Sequence, residues 1–203
     1  PGARWVTLQT DTKSEALSDK RVRQAITYGL DREKIVQIVT AGKAKLANGP
    51  TPPGLWWYNP DLPKYPHDPE KAKELLAEAG YPDGLKLTLS VPPVSMYRPL
   101  SPLAQEQLKE VGIDLTISPE ARSEWVDLLM NHTINFLPIR WTQRPDPDGM
   151  MSLLMDSSSS QNSSRYESAE FDEVMAKARA ETDMEARKQL YFKAQEILSE
   201  DLP

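Results

Sequence analysis

Residues 85–117 read LKLTLSVPPVSMYRPLSPLAQEQLKEVGIDLTI, and this stretch decides the fold. Leu85, Leu87, Leu89 and Val91 alternate with Lys86, Thr88 and Ser90, the period-two pattern of a half-buried strand, and Pro92 and Pro93 end it. A helix is expected over residues 101–111 with Gly112 as its stop, and Ile113, Leu115 and Ile117 then alternate with Asp114 and Thr116 as a second strand. Strand, helix and strand joined by short turns make a βαβ unit, whose strands are parallel and whose crossover is nearly always right-handed. The expected class is therefore α/β, with a mixed central sheet flanked by helices. The loop at residues 92–98 falls at the carboxyl end of the first strand, where open α/β sheets receive ligands, and this makes Tyr97 and Arg98 candidate binding residues.

Working outward toward the amino terminus, Asp68, Pro69 and Glu70 announce a helix by an N-cap aspartate, a proline at the first helical position and an acid in the first turn. Ala72, Leu75, Leu76 and Ala79 form its apolar stripe, and Gly80 ends it. Before it lies NGPTPPGLWWYNPDLPKYP, residues 48–66, whose six prolines forbid regular helix or central strand. Trp56, Trp57, Tyr58 and Tyr65 on this loop are read as pinning it to its own domain, with stacking on a ligand as the alternative. Earlier still, residues 5–10 suit a strand, and Ser18 is expected to cap a helix beginning at Asp19 and Lys20. Asp31 restarts a second helix that Gly42 stops. Arg21, Arg23 and Arg32 read as solvated or ion-paired helix faces.

Toward the carboxyl terminus, residues 123–129 are amphipathic and helical and lead to an apolar strand at residues 135–140. That strand runs into WTQRPDPDG, residues 141–149, and then into a helix-like run at residues 150–155. An aromatic, two prolines and two carboxylates between a strand end and a helix start put this turn on the same candidate ligand rim as Tyr97 and Arg98, with Trp141 as a stacking face, Gln143 as a neutral hydrogen-bonding group, Arg144 as a bidentate donor and Asp146 beside them. Pairing of Arg144 with Asp146 or Asp148, facing solvent, is the competing reading. The serine-rich residues 157–164 read as a flexible surface loop. Two closing helices are expected, over residues 169–180 and 183–199, the second opened by a capping box of Thr182 and Glu185.

Composition removes several function classes. The chain has 203 residues, 39% hydrophobic and 27% charged, with a formal net charge of -6, which suits a globular fold and not a binder of phosphate backbones, since Lys and Arg are interleaved with Asp and Glu. No run approaches the roughly 18 apolar residues of a membrane span, and the start, Pro1-Gly2-Ala3-Arg4, has no signal-peptide core, so the chain reads as mature or as cut from something longer. Zero cysteines exclude thiol nucleophiles, thiolate metal sites and disulfides, and are compatible with an oxidising compartment. His67 and His132 have no metal-like spacing, Asp146 and Asp148 lack the rest of a calcium loop, and neither Gly-x-Ser-x-Gly nor a glycine-rich phosphate loop is present. No cofactor and no metal is expected. A metal-independent hydrolase and a structural interaction domain stay open as alternatives of another class.

The order DKRVRQAITYGLDREKIV, GPTPPG, DPEKAKELLAEAGYPDGLKLTL, QLKEVGIDLTI, EW, W, PDP and FDEVMAKARAETDMEARKQLYFKAQEILSEDLP resembles the peptide, dipeptide and nickel class, family 5, of solute-binding proteins of ABC importers. The resemblance runs over residues 5–203 and implies a type II periplasmic-binding-protein lobe, residues 1–203, taken as the second lobe of a considerably longer two-lobed receptor. It implies a peptide-like or other polar solute as ligand, with an oligosaccharide or other non-peptide solute as the alternative. The implied partners are the missing first lobe and the membrane subunits of an ABC permease, and the implied location is periplasmic or extracellular, compatible with a lipoprotein anchor. Family members commonly carry an acidic residue with an aromatic neighbour between the tryptophan and the Pro-Asp-Pro, and in peptide binders that acid resembles a partner for the peptide's α-amino group. Here Gln143 and Arg144 occupy that position and the spacing from Trp141 is one residue shorter, which favours a carboxylate, a hydroxyl array or a neutral polar group over an ammonium.

Overall fold

Aspartates, prolines and glycines set most of the element boundaries in the computed structural model, which describes residues 4–203. In chain order the elements are β1 (Arg4–Thr10), α1 (Lys20–Gly29), α2 (Arg32–Thr40), α3 (Pro69–Glu78), β2 (Leu85–Val91) and α4 (Tyr97–Glu110). Then come β3 (Ile113–Pro119), α5 (Arg122–Met130), β4 (Phe136–Thr142), α6 (Asp148–Met155), α7 (Ala169–Ala180) and α8 (Met184–Asp201). Residues 1–3, on which the reading of the start rested, lie outside the described residues. No described helix is long and apolar enough to cross a membrane.

The class is α/β, as the sequence predicts, but the strands do not share one sheet among the described residues. They form two pairs, β1 with β4 and β2 with β3. The chain divides into two compact units, one holding residues 8–46 and 65–138, the other the described residues up to Thr7 together with residues 47–64 and 139–203.

In the first of these, here the βαβ unit, β2 and β3 are parallel and in register from Leu85 opposite Ile113 to Val91 opposite Pro119. Two glycines make that start possible. Gly84 and Gly112 have φ of 101° and 90°, a region that side chains disfavour, and a Cβ on Gly84 would lie 2.5 Å from the Gly112 carbonyl oxygen. That carbonyl accepts the Leu85 amide at 2.9 Å. Leu89, Ile113 and Leu115 are buried, each worth about 1.5–3 kcal/mol for full removal from water. The helix α4 packs on β3 and α1 packs on α3. The N-caps fall as predicted at Asp31 and Asp68, whose carboxylates accept the Lys34 and Lys71 amides. For α1 the cap is Asp19 and not Ser18, because the Asp19 carboxylate accepts the Arg21 amide, while the Ser18 hydroxyl turns back to the Glu15 carbonyl. Arg23 departs from the expected solvated face. It is buried and donates to the Leu17 and Ser18 carbonyls at 2.7 and 3.1 Å, satisfying main-chain groups just ahead of α1.

The second, here the terminal unit, has an aromatic and methionine core. Trp57, Met150, Met151, Leu154, Tyr166, Phe171, Met175, Tyr191 and Leu198 are buried together, with Trp56 and Trp141 partly buried against them. Trp57 is 1% exposed, so the proline-rich loop is pinned as expected, and Gln195 of α8 holds it by donating to the Trp57 carbonyl at 2.7 Å. The serine-rich segment is not the loose loop its composition suggests. Asn162 donates to the Tyr166 and Asp156 carbonyls and accepts from the Ser164 hydroxyl and the Tyr166 amide, using its full amide capacity, and Ser164 is 0% exposed. The cap of α8 is Asp183, whose carboxylate accepts the Glu185 and Ala186 amides, and not Thr182.

Candidate functional site

The two loops assigned to the predicted rim come out differently. In the βαβ unit, α4 begins at Tyr97, four residues ahead of the expected Ser101, so Tyr97 and Arg98 are its first two residues rather than part of a loop. Pro99 and Pro102 did not delay it. Proline is tolerated in a first helical turn, where the missing N–H would have no partner, and Pro102 is accommodated one turn on. Arg98 is exposed. Tyr97 is 3% exposed and belongs to the core, which corrects the reading of it as a surface group for a ligand.

The terminal unit carries the turn that leads from β4 into α6. Apolar residues at the start of β4, Phe136, Leu137 and Ile139, are buried, and exposure returns at Arg140, so the strand delivers Trp141 to its end. Trp141 is half-buried against the aromatic core, and its indole Nε1 is shielded from solvent with no acceptor among the described residues. Gln143 is half-buried, and its side-chain oxygen is shielded with no donor among the described residues. The Asp148 amide donates to the Asp146 carboxylate at 2.9 Å, a local bond that helps shape the turn before α6.

Both carboxylates of the turn are engaged by arginines from the last two helices. Arg187 of α8 donates from Nη2 to Asp146 Oδ2 at 3.2 Å and to the Tyr191 hydroxyl at 2.9 Å, and from Nε to the Ala178 carbonyl at 3.1 Å. Its guanidinium carbon lies 5.9 Å from the Trp56 ring centre and 5.4 Å from that of Tyr191, within cation–π range. Burial pushes the Tyr191 phenol above its usual range, and the neighbouring guanidinium offsets part of that. Arg179 of α7 donates from Nε to Asp148 Oδ1 at 2.7 Å and from Nη2 to Asp156 Oδ2 at 2.9 Å, and the Ser152 hydroxyl donates to Asp148 at 2.6 Å. The Asp156 carboxyl is held below its usual value first by the Ser158 hydroxyl, against the opposing effect of burial, and then by Arg179.

Arg144 has neither of the partners that the competing reading gave it. Its guanidinium is exposed and makes no hydrogen bond or ion pair among the described residues. Its stem lies along the first turn of α6, where a Cβ on Gly149 would come 3.1 Å from Arg144 Cδ. The turn is therefore an aromatic face, an amide and an unpaired cation on a support whose acids are already neutralised. Arg179, Arg187, Trp56 and Tyr191 were not singled out in the sequence as parts of this region. No local spacing signals them, since Arg187 meets Asp146 across 41 residues. Among the described residues no cluster of three or more His, Cys, Asp or Glu side chains is placed to hold a metal.

The family model described as bacterial extracellular solute-binding proteins, family 5 Middle, matches residues 1–162. Heme-binding protein A of Haemophilus influenzae is 33% identical over 95% of this chain, and the dipeptide-binding protein of Escherichia coli is 30% identical over all of it. The chain spans 37% and 40% of those relatives. Among solved structures, a periplasmic binding protein of Helicobacter pylori in complex with the peptide STSA superimposes with a TM-score of 0.93 at 29% identity, over 98% of this chain and 40% of that one. The oligopeptide-binding protein of Bacillus subtilis in complex with a nonapeptide gives 0.91 at 29% identity, over 100% and 44%.

Proposed function

This chain belongs to the bacterial extracellular solute-binding proteins of family 5, and from that premise we propose that it forms part of a receptor that captures a peptide-like or other polar solute outside the cytoplasm and delivers it to the permease of an ABC importer. The relatives named for binding dipeptides and oligopeptides support a solute-binding role without catalysis. The observation that carries the reading is the turn at residues 141–149. It sits at a strand end, its acids are fixed by Arg179 and Arg187, and it leaves Trp141 and Arg144 as the groups with capacity to spare. A fixed support matters because a loop that must be ordered on binding spends part of the interaction energy on that ordering.

Trp141 supplies a flat apolar face, Arg144 a directed cationic fork and Gln143 a neutral amide, a combination suited to orienting a small polar solute. Native mass spectrometry of the full-length polypeptide, purified with whatever it carries, should release a bound polar molecule of low mass. A peptide agrees with the proposal in full, a sugar would move the receptor to the non-peptide class, and a protein that turns over what it binds would remove the transport reading. In the same full-length protein Trp141→Ala should weaken binding of the released solute about tenfold, the loss of one stacking face. Unchanged affinity would take Trp141 out of the site.

A further inference from the structure

We infer that Arg144 is the receptor for an anionic group of the solute, so that a carboxylate, and not an α-ammonium, docks at this turn. The inference rests on the binding role proposed above and adds the polarity of the ligand's docked end. Its basis is the charge arrangement of the turn. Asp146, Asp148 and Asp156 are all held by Arg179 or Arg187, and Arg144 pairs with none of them. With those acids already paired, the Arg144 guanidinium is the charge of the turn left without a counter-ion among the described residues. No carboxylate of the turn is free to take an ammonium.

Two further features single out Arg144. Its stem lies over Gly149, the second residue of α6, and a side chain larger than hydrogen there would come within 3.1 Å of it. The Gly149 amide donates to no acceptor among the described residues, and α6 has no side-chain cap. A planar carboxylate beside this guanidinium would meet two charge-assisted donors in a fixed fork, with a free backbone N–H on the same helical turn and the positive end of the helix behind it. An ammonium there would face a guanidinium and the same helix end, which is repulsive on both counts.

The test is a calorimetric titration of the full-length receptor with trialanine, trialanine C-terminal amide and N-acetyl-trialanine, and with glucuronic acid against glucose as a non-peptide pair. In the wild-type protein the member bearing the carboxylate should bind at least about tenfold more tightly than its neutral counterpart, and acetylation of the amine should change affinity little. Arg144→Gln should remove most of that preference, with an unchanged far-ultraviolet circular dichroism spectrum and melting temperature to show that the variant is folded. Gly149→Ala should reduce the preference by displacing the Arg144 stem. If the same preference persists in Arg144→Gln, the anion is held elsewhere and the inference falls while the transport role stands. The inference also falls if trialanine amide binds as tightly as trialanine and acetylation abolishes binding. Failure of every probe to bind would remove the proposed role and the inference together.

Discussion

Two proline-containing segments, residues 92–98 and residues 141–149, both leave a strand and enter a helix, and both are expected from the sequence to contribute to one ligand rim. The first closed on itself. Tyr97 turned into the core of the βαβ unit, and Pro99 and Pro102 just beyond the segment were absorbed into the opening turns of α4. The second stayed open, with Arg144 exposed and Trp141 half-buried, because its acids are tied to arginines and leave the other side chains unclaimed. Strand-end position alone therefore does not identify a binding segment. What separates the two is whether the large side chains have been spent on the core.

The contrast can be broken most severely at Tyr97. If it is core, Tyr97→Ala should cost about 3–4 kcal/mol of stability, read from urea unfolding, as for other buried aromatics reduced to alanine. A loss below about 1 kcal/mol would return Tyr97 to the surface role. Next comes Arg187. Arg187→Ala should cost about 1–2 kcal/mol by removing the Asp146 pair and the packing on Trp56 and Tyr191, and Arg187→Lys should recover only part of it, since an ammonium cannot serve Ala178, Asp146 and Tyr191 with one planar fork. Full recovery by lysine would reduce the residue to a point charge.

A smaller effect is expected with pH. The Asp156 carboxyl is held below its ordinary value of 3.8, so its contribution to stability is complete above that pH and is lost as the pH falls from there through the folded value. Asp156→Asn should show a shallower acid-side decline than wild type in thermal melts taken from pH 6 down to pH 3. A parallel decline in both proteins would dissociate Asp156 from it. The smallest effect is at Arg144, where Arg144→Gln should shift stability by no more than about 0.5 kcal/mol, because the side chain makes no hydrogen bond or ion pair among the described residues. A larger loss would mean that the residue belongs to the fold and not to a ligand.

The parts of the fold that were legible are those whose causes lie within a few residues. Asp31 and Asp68 cap helices through their own third neighbours, and the alternation of β2 and β3 states which face is buried. The proline-rich loop was legible for a related reason, as four aromatics on a stiff segment need a surface to cover. What was not legible depends on distant partners or on competition between near ones. Asp183 won the α8 cap from Thr182 by one residue, and Asp19 won that of α1 from Ser18 in the same way. The serine-rich segment was misjudged because composition registers apolar burial and misses an amide such as Asn162, which orders a polar turn by hydrogen bonds alone. At the turn itself, Trp141, Gln143 and Arg144 were named from local chemistry, while the fate of Asp146 was decided by an arginine on the last helix.

That last pairing also sets an order of events during synthesis. Asp146 leaves the ribosome 41 residues before Arg187, which at ordinary elongation rates is roughly 2–8 s. Throughout that interval the turn lacks its clamp, and the aromatic face of Trp56 is without the guanidinium that later lies over it. The turn at residues 141–149 is thus completed late, by a residue it must wait for. A nascent chain stalled before α8 should carry a βαβ unit able to form and a turn still unset.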